Sequence, residues 1–481
     1  MKRHRSVHGK CGVFVAQKNA RKKERDRQAG SVNTLLTDNT VLCWPVLIDL
    51  KFTDIIHRAL HADIVRVFSL TSVATLVKMA TGLVSVKVVA SIIGPAGVAL
   101  VGQLNNFSSI VMQLACGGIN QGVTKYVSES KEDRGRLYSL LSTALRITVA
   151  CSLAVGLVMI VFHRRLSRLI MLSDEYGYVF VVFGFTILLY ALNNMLISIV
   201  NGFKEFKKYV GINIANSIVG LCFTLAFAIS FGLKGALLSA VTYQSVMFFV
   251  TFFMVRRLPW MNREYFRERF STPTARKYLQ YTLMALVSAA CVPVVQLLLR
   301  GNVISQLSLE QAGWWESMNR VASAYLMVIT TSFSVYYLPR LSEIQDSYGL
   351  KREIFKAYVV IVPMLLVGFT AIWFLRFFVI RLLFTPEFMP MEQLFVWQML
   401  GDFFKICSWL LAYLMLAKAR TTLYITTEIV FSLLYLILGF LLVKVNGLVG
   451  LNQAYLINYI LYTIVMAVAF RKILTAKKPA A

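Results

Sequence analysis

The sequence lacks the patterns that mark an ATPase, a metal site or a disulfide framework. It contains no GxxxxGK(S/T) loop, which argues against ATP hydrolysis by this chain. No two of its seven cysteines form a CxxC pair, and His57 and His61, at helical i, i+4 spacing, have no further ligand nearby. Five cysteines lie in apolar stretches, where cysteine behaves as a small hydrophobe: Cys116, Cys151, Cys222, Cys291 and Cys407. We expect no disulfide, no metal and no cofactor.

Charged residues are also scarce, at 15% of the 481 residues, whereas 57% are hydrophobic and the mean hydropathy is +0.65. Soluble chains are typically about 45–50% apolar. The surplus of hydrophobic residues indicates side chains that face lipid. The charged residues cluster between long apolar runs, as in a polytopic membrane protein.

Twelve stretches are long and apolar enough to cross a bilayer as helices, which needs about 20 residues each. They are residues 65–93, 97–127, 137–161, 178–201, 210–231, 235–255, 279–300, 314–339, 356–383, 392–416, 421–443 and 448–470. The sequence therefore predicts an all-α fold of about twelve transmembrane helices. The longest internal loop, 256–278, is too short for a catalytic domain, and we interpret it as a connector between two lobes.

Basic residues outnumber acidic ones by 50 to 23, a net charge of +27. Nucleic-acid binding is one interpretation. The positive-inside rule explains the excess better, because one set of alternate loops, with the C-terminal tail, holds 23 Lys and Arg and the other set about seven. We therefore expect no nucleic acid as a partner and predict that both termini face the cytoplasm.

The two halves of the sequence repeat at a nearly constant spacing. Gly232-Leu233-Lys234-Gly235 precedes the sixth predicted span, and Gly447-Leu448-Val449-Gly450 precedes the twelfth. We call the difference in residue number between Gly232 and Gly447 the repeat offset. Six spans return the chain to its starting side, so the repeat is parallel and encloses a cavity between two lobes. We predict an N-terminal lobe at 65–257, a connector at 258–278, a C-terminal lobe at 279–472 and a cytoplasmic tail at 473–481.

Residues 1–60 differ from the rest. They are basic and poor in large apolar side chains, which predicts disorder, and they have no signal-peptide core. Residues 50–67 place apolar side chains on one helical face, as in a helix lying at the membrane interface. An alternative is that translation starts downstream and that this segment is not part of the native protein.

Ionisable residues inside the predicted spans are the candidate site residues, because each costs about 2.5–3.5 kcal/mol on insertion scales unless it faces a cavity or a partner. The anions are Glu316, Asp402 and Glu428. The cations are Lys78, Lys87, Lys125, Arg146, Arg300, Arg320 and Lys405. The excess of cations predicts a cavity that attracts an anion.

Local pairing is the alternative for several of these residues. Glu316 with Arg320, and Asp402 with Lys405, have the spacing of pairs on one helix. Lys125, Arg300 and Lys87 lie near span ends, from which long cationic side chains reach the interface. Lys78 and Arg146 are roughly 20 and 14 Å deep at 1.5 Å per residue, so we expect these two to face the cavity. Asp402 and Glu428 are candidates for proton or ion coupling.

Short stretches in both halves resemble a known family. They are GPAG at 94–97, GINQGVTKYV at 118–127, YTLMAL at 281–286, TSFSVY at 331–336 before Leu338-Pro339, and WQMLGD at 397–402 with Lys405. These stretches are similar to those of Wzx-type flippases for lipid-linked oligosaccharides. Such proteins translocate O-antigen or enterobacterial common antigen units and belong to the multidrug/oligosaccharidyl-lipid/polysaccharide exporter superfamily. The resemblance covers about residues 66–472.

The resemblance implies two six-helix bundles in a V, in the bacterial inner membrane, with Lys78, Lys87, Lys125, Arg300 and Arg320 lining a cavity. The implied substrate is an undecaprenyl-diphosphate-linked glycan, with a glycan polymerase and a chain-length regulator as candidate partners. Cations suit its diphosphate, and the amides and hydroxyls of the second span suit its sugars. The alternatives are a cation-coupled multidrug antiporter of the same superfamily, which needs unpaired carboxylates, and a membrane glycan polymerase, which commonly needs a large periplasmic loop.

Overall fold

A computed structural model describes residues 63–131, 133–418 and 420–476. The chain divides into two compact units, Met1–Ser69 and Leu70–Ala481, and only the second is described at length below. The predicted N-terminal extension at 1–60 lies outside the described residues. Within them every regular element is helical, so the all-α prediction is confirmed.

The helices follow one another with short connections. In chain order they are α1 (Asp63–Ala115), α2 (Asn120–Glu129), α3 (Arg134–Val161), α4 (His163–Leu166), α5 (Gly177–Gly202), α6 (Phe206–Val255), α7 (Thr272–Gln306), α8 (Leu309–Ser332), α9 (Leu338–Glu343), α10 (Ser347–Leu383), α11 (Phe395–Ala417), α12 (Thr421–Ala469) and α13 (Arg471–Leu474). We call α1–α6 the first half, α7–α12 the second half and residues 256–271 the connector.

Three of these helices are bent. α1, α6 and α12 contain 53, 50 and 49 residues, and each includes a glycine with non-helical backbone angles. Gly94, Gly232 and Gly447 have φ of 63°, 58° and 57°, in the left-handed region that glycine adopts without steric cost. Each bend divides one long helix into two arms, each long enough to cross a membrane.

Seven helices of the described residues are long and apolar enough to cross a membrane. Three of the seven are the bent helices, which hold two predicted spans each. With α7 and α8 included, the described residues contain a helical segment for every predicted span.

Several predicted boundaries differ from the structure, among them the start of α10, which is Ser347 rather than 356. The second span is not one helix, because Gly117 and Gly118 both have φ of 64° and separate α1 from α2. α7 begins at Thr272 rather than 279. Ser271 caps it, its Oγ accepting from the backbone N–H of Thr274 at 3.4 Å, and a proline in the first turn suits a helix start.

The internal repeat of the sequence recurs in the backbone geometry. Gly232 and Gly447, separated by the repeat offset, bend their helices with nearly the same angles, ψ being −133° and −143°. A Cβ on Gly235 would lie 1.9 Å from the carbonyl oxygen of Phe227, and one on Gly450 would lie 2.0 Å from that of Leu442. The contact between the two arms of α6 therefore recurs in α12, with both of its residues displaced by the repeat offset.

The two halves pack against each other near the bend of α1. Ala90 and Val98 share a buried cluster with Trp315 and Met318 of α8. A Cβ on Gly313 would lie 1.9 Å from the carbonyl oxygen of Pro95, so the α8 backbone is pressed directly onto this bend.

A second contact between the halves lies near the connector. Tyr278 of α7 donates to the carbonyl oxygen of Leu140 at 3.2 Å, and Thr282 donates to that of Gly117 at 3.0 Å. The halves therefore touch both near the bend of α1 and near the connector.

Candidate functional site

A cavity of about 310 Å³ lies in the first half, with Arg320 of the second half contributing to its wall, and we call it the first cavity. Lys78 of α1 and Arg320 of α8 both line it, and no Asp or Glu of the described residues does. The hydroxyl and amide side chains of its wall are Thr81, Ser85, Asn105, Asn216, Ser217, Thr224, Ser239 and Tyr243. This wall has two cations and many neutral hydrogen-bonding groups.

Lys78 is an exposed residue in this wall, and within the described part of the chain it has neither an ion pair nor a side-chain hydrogen bond. The hydroxyl of Thr81, one turn away, donates to the backbone carbonyl oxygen of Val77 at 2.8 Å. The Lys78 ammonium is therefore available to a ligand.

Arg320 is held by a buried charge triad. The Glu316 carboxylate accepts from Arg320 Nε at 3.0 Å through Oε1 and from Arg300 Nη2 through Oε2. The Glu316–Arg320 pair considered from the sequence is therefore present, but Arg300 of α7 shares the same carboxylate. Two guanidiniums on one carboxylate leave a net positive charge, and Arg320 Nη2 has no hydrogen-bond partner among the described residues.

The first half of the chain closes over this triad. Gln103 Oε1 accepts from Arg300 Nη1 at 3.3 Å, and Gln103 Nε2 donates to the carbonyl oxygen of Leu297 at 3.2 Å. A Cβ on Gly102 would lie only 2.5 Å from the Glu316 carboxyl carbon. Arg300 is fully buried, so its role in this structure is to position Glu316 and, through it, Arg320.

Two other predicted cations bond elsewhere. Lys87 donates to the carbonyl oxygens of Arg381 and Phe384, at 3.2 and 3.1 Å, and so caps the end of α10 across the two halves. Lys125 pairs with Glu129 on its own helix, Nζ to Oε1, at 3.8 Å. Neither residue lines the first cavity.

Arg146 is likewise absent from the lining of the first cavity. Its Nη2 donates to the carbonyl oxygen of Glu268 in the connector at 2.8 Å. The structure therefore brings Lys78 and Arg320 together and places Arg146 apart from them.

Lys405, Glu428 and their neighbours form a second cavity, of about 290 Å³, in the second half. The sequence left open a direct pair between Asp402 and Lys405. The described residues show no such pair, and Tyr455 joins the two instead: its hydroxyl lies 3.0 Å from Lys405 Nζ and 2.7 Å from Asp402 Oδ1. Asp402 is fully buried and also accepts from Tyr325 at 2.5 Å and from Gln398 at 3.0 Å.

The two cavities occupy equivalent positions in the repeat. Thr81, Ser217 and Tyr243 line the first cavity. The positions displaced from them by the repeat offset are Gln296, Ser432 and Asn458, and these line the second. Each half thus has a cavity built on corresponding turns of corresponding helices.

Comparison with known proteins agrees with this architecture. Residues 64–345, more than half of the chain, match the profile of the family described as polysaccharide biosynthesis protein. The chain belongs to this family.

Curated relatives include the Lipid III flippases of Escherichia coli (strain K12) and of Shigella flexneri. Each is 29% identical over 395 residues, which cover 82% of this chain and 94% of the relative.

Solved structures show the same fold at low identity. An inward-facing multidrug resistance MATE family transporter of the MOP superfamily matches with a TM-score of 0.69 and 13% identity, covering 84% of this chain and 96% of that one. The Lipid II flippase MurJ, in an inward closed conformation, matches with a TM-score of 0.68 and 16% identity, covering 84% and 89%.

Two groups of cavity-lining residues were not identified from the sequence. Asn216 and Ser217 on α6 line the first cavity, and Tyr455, Tyr459 and Tyr462 on α12 line the second. The three tyrosines are spaced i, i+4 and i+7, which places them on one helical face. That spacing could have identified them.

Proposed function

We propose that this protein is a flippase that moves an undecaprenyl-diphosphate-linked oligosaccharide from the cytoplasmic to the periplasmic leaflet of the bacterial inner membrane. The observation that supports this most strongly is the first cavity, where Lys78 and Arg320 come from opposite halves and no carboxylate of the described residues lines the wall. The likeness to two curated Lipid III flippases, which spans most of the chain, supports the same class of substrate.

The chemistry of the first cavity suits a diphosphate. Guanidinium and ammonium groups are the usual partners of phosphate oxygens, and a cavity with low-dielectric walls strengthens their attraction. Arg320 lines this cavity and is already oriented by Glu316, so its guanidinium need not be ordered when the ligand binds. Lys78, with no partner among the described residues, supplies the second charge.

The size of the first cavity indicates how much of the substrate it holds in this state. Pockets that enclose a small ligand measure about 300–1,000 Å³, and this one is near the lower limit. The diphosphate would fit there, while the glycan and the polyprenyl tail remain outside this cavity.

The contacts near the bend of α1 and near the connector support a mechanism of alternating access. The Pro95–Gly313 contact and the Lys87 hydrogen bonds join the halves near the bend of α1. The Tyr278 and Thr282 hydrogen bonds join them near the connector. Opening one region while the other stays closed would expose the first cavity to one leaflet at a time. With both termini in the cytoplasm, the connector region would be the cytoplasmic gate.

The proposal also implies partners and a range of substrates. The unit would be an O-antigen repeat or an enterobacterial common antigen unit. Once flipped, it becomes the substrate of a glycan polymerase, so the polymerase and its chain-length regulator are the expected partners. The protein itself would form and break no covalent bond.

Complementation tests this function. The chain is expressed in strains that lack the flippase for O antigen or for common antigen, and the surface glycan is measured. We expect it to restore one glycan and Lys78→Gln to reduce that restoration strongly. A lost charge-assisted hydrogen bond, at about 1.5–3 kcal/mol, corresponds to about ten- to hundredfold weaker binding.

Lys444→Gln is the matched control, because Lys444 is exposed and lines neither cavity. It should behave as the wild type at equal protein level. Restoration of neither glycan, together with resistance to cationic drugs, would favour the antiporter. Elongation of a glycan by the purified protein would favour a polymerase.

A further inference from the structure

The proposed function assigns the diphosphate to the first cavity and no part of the substrate to the second, which is nearly as large. We propose that it binds a sugar ring of the glycan through an aromatic cage. This inference rests on the proposed flippase function and assigns the two parts of the substrate head group to different halves of the protein.

The first line of support is the aromatic lining. Tyr435, Tyr455 and Tyr459 line the second cavity together with Trp409. Their rings contact one another edge to face: the Tyr455 centroid lies 5.7 Å from that of Tyr435 and 4.8 Å from that of Tyr459. Such packing holds the rings in fixed orientations. The C–H face of a sugar ring is the part of a glycan that packs against such surfaces.

The second line of support is the mixture of polar groups. The Lys405 ammonium lies 5.2 Å from the centroids of both Trp409 and Tyr459, held over them by cation–π attraction. Glu428 lines the same cavity without a hydrogen bond to the described residues. Asn458 is only 4% exposed, and its Oδ1 has no partner there either. Donors and acceptors thus lie side by side, as ring hydroxyls require.

Comparison with the first cavity gives the strongest support. Three positions of its lining, Asn216, Gly220 and Ala240, are small or polar. Their equivalents at the repeat offset, in the second cavity, are Phe431, Tyr435 and Tyr455. The same backbone positions therefore present open polar space in one half and rings in the other. The repeat fixes the location of both cavities, and the side chains alone determine what each binds.

The charges of the second cavity exclude the simpler ligands. A phosphate would be repelled by the Glu428 carboxylate, and a cationic drug would be repelled by the Lys405 ammonium. A wholly apolar ligand would bury both charges without new partners, which is costly. A neutral or mildly polar sugar satisfies donor and acceptor together. A volume of about 290 Å³, below the typical range of about 300–1,000 Å³, fits a single ring rather than an oligosaccharide.

Binding measurements with two lipids test the inference. The full-length protein in nanodiscs is titrated with bare undecaprenyl diphosphate. It is also titrated with the undecaprenyl-linked oligosaccharide that accumulates in a flippase-deficient strain. The wild type should bind the glycosylated lipid more tightly. Glu428→Gln and Tyr459→Leu should each weaken binding of the glycosylated lipid about five- to tenfold, as expected for about 1–1.4 kcal/mol, and leave binding of the bare lipid unchanged.

Matched variants separate this inference from the function on which it rests. Lys78→Gln should weaken binding of both lipids by the same factor. Glu264→Gln in the connector and Tyr336→Leu, on an exposed residue, should bind as the wild type. Tyr459→Leu could disturb folding, whereas the isosteric Glu428→Gln preserves the volume of the side chain.

The outcomes are distinct. If both second-cavity variants bind both lipids normally, or lose both equally, the sugar site is refuted while the Lys78 result still supports the flippase. If the wild type binds neither lipid, the flippase proposal fails and the sugar site fails with it.

Discussion

The first and second cavities occupy equivalent places in the repeat but hold their cations by different means. In the first, Arg320 is oriented by a shared carboxylate and Lys78 has no partner among the described residues. In the second, Lys405 is surrounded by aromatic rings and is linked to Asp402 through the Tyr455 hydroxyl. One cavity thus presents net positive charge to a ligand, and the other presents rings with balanced charge. A duplicated scaffold can therefore give two sites of different chemistry.

The largest effect on stability should come from Glu316→Gln. The substitution leaves the buried Arg300 and the partly buried Arg320 without their carboxylate, and breaking a buried pair in this way costs about 3–5 kcal/mol. Thermal unfolding of the purified protein in detergent measures the loss. An unchanged unfolding temperature would show that the triad does not stabilise the first cavity.

Two further variants complete this test. Glu310→Gln, on an exposed residue in the first turn of α8, should have little effect. A triple variant, Arg300→Met, Glu316→Leu and Arg320→Met, removes all three charges. It should be more stable than Glu316→Gln, because no buried charge is left unpaired.

An intermediate effect on stability is expected where the two arms of a bent helix touch, at Gly235 in α6 and at the equivalent Gly450 in α12. Gly235→Ala and Gly450→Ala each place a Cβ within 1.9 or 2.0 Å of a carbonyl oxygen, so the arms must separate. Overpacking of this kind costs typically about 1–3 kcal/mol, and the two losses should be similar. Thermal unfolding again measures them.

Gly368→Ala in α10 is the control, since a Cβ there meets nothing within 4 Å. It should be neutral or stabilise by about 0.5–1 kcal/mol. A large loss of stability from the substitution at only one of Gly235 and Gly450 would contradict the equivalence of the two halves.

The smallest effect should come from Tyr455→Phe. It removes the hydroxyl between Lys405 and Asp402 and keeps the ring. Asp402 retains its hydrogen bonds from Tyr325 and Gln398, so the cost should be about 0.5–1.5 kcal/mol. Tyr336→Phe, on an exposed ring, is the control. A loss above that of Glu316→Gln would mean that the Tyr455 bridge, rather than the aromatic packing, holds the second cavity together.

Much of the fold could be predicted from the sequence, because helices in lipid follow from local composition. Every predicted span has a helical counterpart, and the Gly232 and Gly447 bends occur where the repeated GLxG stretches predicted a boundary. The break at Gly117 and Gly118 was missed. Two adjacent glycines do not by themselves indicate left-handed backbone, and here Gly118 lies against Thr282 of the other half.

The candidate site was predictable only in part. Lys78 and Arg320 were both among the predicted cations, and both line the first cavity. Depth along the span also favoured Arg146, but in the structure its guanidinium reaches the backbone of Glu268. A residue count along one helix does not show which groups of the connector come within reach of a long side chain.

The sequence by itself determined which stretches of the chain span as helices, that Gly232 and Gly447 mark boundaries between them, and that the halves repeat. These features depend on apolar length and on glycine, and both are local properties. Only the tertiary structure decided which buried cations are available to a ligand. Arg300 meets Glu316 from another helix, and Lys87 meets the end of α10 from the other half of the chain. Whether a buried charge is neutralised depends on such neighbours in space, which are distant along the chain.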